Sequence, residues 1–366
     1  MRAIRAVAAA GALALVLAGC ATSPGTGGPA STSPTSATSA ASQPAGDFKA
    51  CMVADASGFS DGSFNQTSHQ GLLRAEAELG IETGEIQAPG EADYAASIQA
   101  LVDTDCDLVT AIGFKHADAA EAAAIANPEV DFLLVDAMPT NPQPNLKPLL
   151  FDPTGAAFLA GYLAASQSQT GSVATFGAVR NADVVLFLNG YAAGVDHYNQ
   201  AKGAQVQVLG WDLATQDGQF IQSQSPFQDV AAGRTTAENL AAQGADVIFP
   251  VAGMAGTGAL QVAEASSGQI AAIWVDTDGC VSNPSFCPVI LTSVYKGMDV
   301  AVFAAIAEAA EGNFDNTAYH GTLANQGVGI SPFHQFEDQV SQATRSELEE
   351  IRQGLVDGAI PLPAAG

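Results

Sequence analysis

FKACMVADASGFSDGSFNQTSHQGLLRAEAEL, residues 48–79, is the stretch on which the fold turns. FKACMVA (48–54) is short, apolar and bounded, as a buried strand is, and it ends on Asp55. A loop of Ser, Gly and Asp follows, and a segment of helical period opens at Phe64 with Leu72, Leu73 and Leu79 on its apolar side. The same alternation continues outward. Strands are expected at 81–88, 107–113, 131–137 and 147–151, with helices near 92–102 and 117–126 between them. Strands separated by helices make a parallel sheet with right-handed crossovers.

After Pro153 the pattern restarts. A helix over 155–166 leads to strand 172–177, helix 184–198, strand 204–210, helix 230–242, strand 245–253, helix 258–265 and strand 269–276. Two runs of this length predict two similar α/β lobes. A strand at 289–294 and a helix over 297–310 form a shorter third piece, expected to return to the first lobe. Ligands of open α/β sheets bind beside the carboxyl ends of the strands. Asp55, Gly113, Phe114, Asp136, Gly177, Gly253 and Asp276 stand at those ends and are the site candidates.

The first 46 residues follow other rules. Arg2 and Arg5 precede an Ala/Leu/Val run from Ala6 to Ala18, closed by Leu17-Ala18-Gly19-Cys20. A positive start, a short apolar centre and small residues before a cysteine read as an export signal over 1–19. LAGC resembles the lipobox, whose cysteine is acylated and becomes the mature N-terminus. The apolar run is short for a bilayer span, but two or more acyl chains on Cys20 would hold the protein at a membrane. Residues 21–46 contain only Ala, Thr, Ser, Pro, Gly and Gln. Such a tract cannot bury enough apolar surface to offset its ordering entropy, so 20–46 is expected to be a disordered tether.

The chain carries 38 acidic against 12 basic residues, a formal net charge of −26. This balance repels nucleic acid and anionic headgroups alike, which leaves membrane attachment to the lipid alone. Besides Cys20 there are four cysteines, an even number in a chain expected to be exported. Cys280 and Cys287 flank the short VSNPSF loop, while Cys51 lies on the first strand and Cys106 just before the strand at 107–113. If those two strands are neighbours, the disulfides are Cys51–Cys106 and Cys280–Cys287. The spacings do not suit zinc, and no metal is expected.

Three motifs carry candidate chemistry. In VADASGFSDGSFNQ (53–66), Asp61 or Ser63 is expected to cap the helix. Asp55 can accept hydrogen bonds from ring nitrogens or hydroxyls, and Phe64 can stack on a flat ring, a contact of about 1–3 kcal/mol for a base. VAGMAGTG (251–258) is a glycine-rich strand-to-helix turn around Gly253 that would bring bare N–H groups to ligand oxygens. It is neither GxGxxG nor a P-loop. WVDTDGC (274–280) offers Asp276 and Asp278 without the later ligands of a calcium loop, and a strand-end carboxylate suits a ribose diol. Lys296, at the next strand-to-helix junction, is placed to orient Asp276 or to reach an oxygen. No HExxH occurs and no cysteine–histidine pair stands in a catalytic context, so neither an enzyme nor a cofactor is expected.

Taken together, these features resemble the basic membrane protein family of lipoproteins, substrate-binding components of ABC importers that include purine nucleoside receptors. The resemblance lies in DASGFSDGSFNQTSHQGL (55–72), TAIGFKHADA (110–119), DFLLVD (131–136), AGYLAA (160–165), GADVIFPVAGMAGTGAL (244–260), WVDTD (274–278) and VILTSVYKGMDVAV (289–302). It implies the type I periplasmic-binding-protein fold, two Rossmann-like lobes joined by three crossovers around a ligand cleft. The N-terminal lobe would be 48–152 plus 279–318, and the C-terminal lobe 153–278 plus 319–366. The resemblance further implies that Phe64 in the FNQ motif stacks on a base with Asp55 and Asn65 beside it. Asp136 is expected near the base, and Gly253, Asp276 and Lys296 near the ribose. Trp211, Phe220 and Phe227 are three candidates for a second stacking aromatic.

The function implied is that of a lipid-anchored substrate-binding protein on the extracytoplasmic face of the cell membrane. It would bind a nucleoside, most readily a purine one, and hand it to an ABC permease. The alternatives are an extracellular sensor or signalling lipoprotein that binds a similar molecule without transport, and a nucleoside or sugar hydrolase.

Overall fold

The computed structural model describes residues 47–363. The expected signal segment, Cys20 and the tether of 20–46 lie outside them. The first run is β1 (Lys49–Ala54), α1 (Phe64–Leu79), β2 (Glu82–Gln87), α2 (Tyr94–Val102), β3 (Leu108–Ile112), α3 (Ala117–Ala126), β4 (Asp131–Val135) and β5 (Leu146–Phe151). The second begins with α4 (Thr154–Gln167), β6 (Ser172–Gly177), α5 (Ala182–Lys202), β7 (Gln207–Leu209) and a small hairpin of β8 (Trp211–Asp212) and β9 (Asp217–Gly218). It continues with α6 (Val230–Ala242), β10 (Val247–Val251), α7 (Thr257–Ala265), β11 (Ala271–Asp276), the one-turn α8 (Gly279–Ser282) and β12 (Ile290–Lys296). Then come α9 (Met298–Ala310), β13 (Tyr319–Gly321), β14 (Val328–Ile330) and α10 (Gln342–Val356).

These strands form two six-stranded sheets, ordered β13-β5-β4-β3-β1-β2 and β14-β12-β11-β10-β6-β7. All pairings in them are parallel except β12 with β14. Apart from that antiparallel edge, the second order is the first one repeated, so β1 corresponds to β6, β4 to β11 and β5 to β12. Inner strands such as β3 and β10 are buried along their whole length, which is why they read as unbroken apolar runs.

Helices cover both faces of each sheet. Met52, Leu108 and Leu133 belong to the core shared with α1 and α9, while Val53, Val109 and Phe132 join the core under α2 and α3. In the second sheet Phe249 and Ile273 pack toward α4 and α5, and Phe176 and Ile248 toward α6. The helices α4 and α5 press together through Gly161 and Gly194, where any Cβ would run into the backbone of the opposite helix. Cys51 on β1 is joined to Cys106, just ahead of the neighbouring β3, and Cys280 to Cys287.

Lobe membership differs from the expectation at two places. β12 pairs with β11, so 279–296 belongs to the second sheet and not to the first lobe. The link from β11 to β12, made of α8 and one 3-10 stretch, is a compact crossover of the kind that sets adjacent parallel strands side by side. The return to the first lobe comes after Gly297, where α9 docks on α1. Conversely, β13 pairs with β5 and so places 319–321 in the first sheet, not the second. The chain passes between lobes after β5, after β12 and between β13 and β14. Among the described residues no helix is long and apolar enough to cross a membrane.

Candidate functional site

The carboxyl ends of the two sheets face one cleft of about 790 Å³, counted to its open mouth. Its first-lobe wall grows from the loop between β1 and α1. Asp61 accepts hydrogen bonds from the amides of Ser63, Asn65 and Gln66 and so caps α1. Burial pushes the Asp61 carboxyl up, against the lowering by those three amides. Because Asp61 is the cap, the Ser63 hydroxyl is free to donate to Asp276 Oδ2 at 2.8 Å, across the lobes. Phe64 then starts the helix at the cleft, resting against Gly113, whose φ of +91° suits glycine. The Asn65 amide donates to Asp55 Oδ1 at 2.8 Å and fixes that carboxylate at the end of β1.

Two strand-end acids face each other from corresponding positions. Asp136 follows β4 with φ +58°, and Asp276 ends β11 with φ +69°. Both backbones lie in the left-handed region, which aspartate tolerates better than most residues but at a cost of order 1–3 kcal/mol. In both sheets the departure from strand geometry coincides with a carboxylate at the cleft.

Lys296, at the end of β12, lies between them. Its ammonium donates to Asp136 Oδ2 at 2.5 Å, with both side chains buried. It also lies 4.9 Å from the Phe187 ring centre and 5.6 Å from that of Phe64. Burial works to discharge Lys296, but Asp136, Asp276 and Asp183 together outweigh it and hold the ammonium above the ordinary lysine range. Burial pushes Asp276 up to about 6, opposed by Lys296 and by the Ser63 hydroxyl. Burial, helped by Asp136, pushes Asp183 up to about 6 as well.

All seven residues expected to bind ligand, Asp55, Phe64, Asn65, Asp136, Gly253, Asp276 and Lys296, line this one cleft. One relation differs from the expectation. Lys296 engages Asp136 directly rather than Asp276, because Asp276 is held by Ser63. Of the three candidate aromatics in 211–229, Phe227 lines the cleft near Gly253. Trp211 is buried, donating its indole N–H to Asn189, and Phe220 packs edge-on against it.

The sequence reading missed Asn181, Asp183 and Phe187, which the first turns of α5 bring to the cleft. Their signal was available: strand SVATFG hands over to a helix at Asn181, and Asn181 caps it by accepting the Val184 amide. The strand-to-helix logic that selected Phe64 selects them too.

The sequence profile described as ABC transporter substrate-binding protein PnrA-like matches residues 48–364. Basic membrane protein A of Borreliella burgdorferi is 27% identical over 320 residues, covering 86% of this chain and 88% of that one. The ABC transporter nucleoside-binding protein BmpA of Lactococcus lactis is 27% identical over 340 residues, covering 87% and 90%. Among solved structures, an ABC transporter solute-binding protein of Aeropyrum pernix is 26% identical, with a TM-score of 0.76 over 87% of this chain and 94% of that one.

Proposed function

The chain belongs to the Bmp family of PnrA-like ABC transporter substrate-binding proteins, which are not enzymes, and from that premise we propose that it captures a nucleoside between its lobes for import. The observation that carries this reading is the convergence of half-buried Phe64 and several carboxylates, from both lobes, on a single cleft. Phe64 offers the stacking surface for a base, with Asp55 and Asn65 in reach of its edge. Asp276 accepts from sugar hydroxyls, and Lys296, braced by Asp136, donates to a sugar oxygen. Phe227 comes from the opposite lobe to close on the ligand.

Charge-assisted hydrogen bonds in a cleft that closes and dries are about twice as strong as neutral ones, and they turn with the geometry of the diol. A nucleoside-binding protein among the relatives supports this ligand class, and a purine, with its larger stacking face, is the preferred base. The protein would sit on the extracytoplasmic face, acylated at Cys20, and deliver its ligand to a permease.

Calorimetric titration tests the reading, using protein first partly unfolded to strip carried-over ligand. Adenosine, guanosine and inosine are expected to bind, and more tightly than pyrimidine nucleosides, free bases or simple sugars. Tight binding of a sugar or amino acid with no response to any nucleoside would overturn it. Replacing Cys20 with Ser is expected to release the protein from membranes; an unaltered distribution would remove the anchor from the account.

A further inference from the structure

Asp183 stands on the first turn of α5, half-buried, and lines the cleft. By strand order β6 corresponds to β1, so the α5 start is the second-lobe counterpart of the α1 start that carries Phe64 and Asn65. The cap made by Asn181, accepting the Val184 amide at 2.9 Å, fixes this turn. Among the described side chains none donates a hydrogen bond to the Asp183 carboxylate or pairs with it. The neighbouring cation is already engaged, since Lys296 is bound to Asp136.

We propose that Asp183 reads the sugar end of the bound nucleoside, accepting a hydrogen bond from a hydroxyl or amine there and turning away ligands phosphorylated at that end. The inference rests on the nucleoside reading above. A carboxylate on a closing cleft loses its water when a ligand enters, and a polar group so stripped costs free energy unless a new partner replaces the water. The backbone amide of Asp183 itself reaches the carboxylate, but no described side chain is placed to do so, which leaves the ligand to fill the remaining acceptor positions. Lys296 marks the sugar side under that reading, and its field reaches Asp183. Charge balance adds the exclusion. Five aspartates line the cleft against two lysines, Lys296 and Lys115. Lys115 is paired with Glu91 at 2.6 Å, so both cations are neutralised before any phosphate arrives. The raised carboxyl of Asp183 fits a group that gains by donation from a ligand.

The test is calorimetry on the wild type and on Asp183→Ala and Asp183→Asn, with adenosine, its 2′-, 3′- and 5′-deoxy analogues, and adenosine 5′-monophosphate. Asp183→Ala is expected to weaken adenosine binding about 10- to 100-fold, the range for a hydrogen bond to a charged group, and Asp183→Asn less. For the one deoxy analogue that already lacks the partner hydroxyl, the same substitutions are expected to cost roughly twofold or less. The disadvantage of the monophosphate should shrink about tenfold or more in both variants. Wild-type adenosine affinity in both variants, or an equal loss for every analogue, would overturn the role of Asp183 and leave the nucleoside reading standing. If the wild type binds none of these compounds, both fall.

Discussion

The two lobes repeat one sheet order, yet they furnish their sides of the cleft differently. In the first, β1 hands over to α1 through a loop in which Asp61 caps the helix, so Phe64 and Asn65 face the ligand space with Asp55 beside them. In the second, the corresponding handover from β6 to α5 brings Asn181, Asp183 and Phe187, and the stretch before α6 adds Phe227. The strand-end acids Asp136 and Asp276 are the feature both lobes keep, at equivalent positions and with the same left-handed backbone. The fold thus repeats the place of the acid, whereas the helix starts differ in the side chains they bring to the cleft.

Breaking the tie between the lobes is expected to have the largest effect. Lys296→Met leaves Asp136 buried without its cation, and removing one partner of a buried pair destabilises by about 3–5 kcal/mol. Urea unfolding measures it; an unchanged midpoint would show that water reaches Asp136 and that the pair does not hold the lobes. The disulfides sharpen the comparison next, since each lobe has one. By loop closure, Cys51–Cys106, separated by 55 residues, contributes about 4 kcal/mol, and Cys280–Cys287, separated by 7, about 2 kcal/mol. Replacing each pair with alanine and comparing melting curves should rank them in that order; the reverse order would point to enthalpic constraints in the second lobe.

Stacking distinguishes the walls at a smaller scale. Phe64→Ala is expected to weaken nucleoside binding by about 1–3 kcal/mol, and Phe227→Ala by a similar amount if the base lies between the two rings. A loss confined to Phe64 would assign the base to the first lobe alone.

The smallest expected effect is on pH. Asp276 and Asp183 are both raised to about 6, above the unfolded value near 3.9. Their contribution to stability is therefore fully present below about pH 4 and lost as the pH rises through 6. Ligand affinity has the opposite slope, because a ligand that donates to carboxylates favours the ionised forms. Affinity should fall as the pH drops below about 6, and Asp276→Asn should flatten both profiles. A slope of affinity unaltered by that substitution would remove Asp276 from the contacts.

Most of the fold was legible because buried parallel strands and amphipathic helices leave distinct periods in the sequence. The assignment of 279–296 was not, since a short polar crossover with a disulfide gives no local sign of which sheet the next strand joins. The first-lobe side of the site was legible as a strand, a capped loop and an aromatic in succession. Asp183 and Phe187 stand at the same kind of handover and carry the same signal more faintly, because a first-turn acid and an aromatic one turn further on are also what an ordinary capped, packed helix contains. Whether Trp211, Phe220 or Phe227 reaches the cleft depends on how an irregular segment folds back, and the hydrogen bond from Trp211 to Asn189 that decides it joins residues 22 apart.

The central claim is that one nucleoside is gripped by both lobes in this cleft. A crystal structure of the protein grown with the nucleoside that it binds tests it most directly. The account predicts the base against Phe64, sugar hydroxyls within hydrogen-bond distance of Asp276 and Lys296, and contacts from the α5 start and Phe227. A nucleoside seated elsewhere, or held by one lobe with the other turned away, would contradict it.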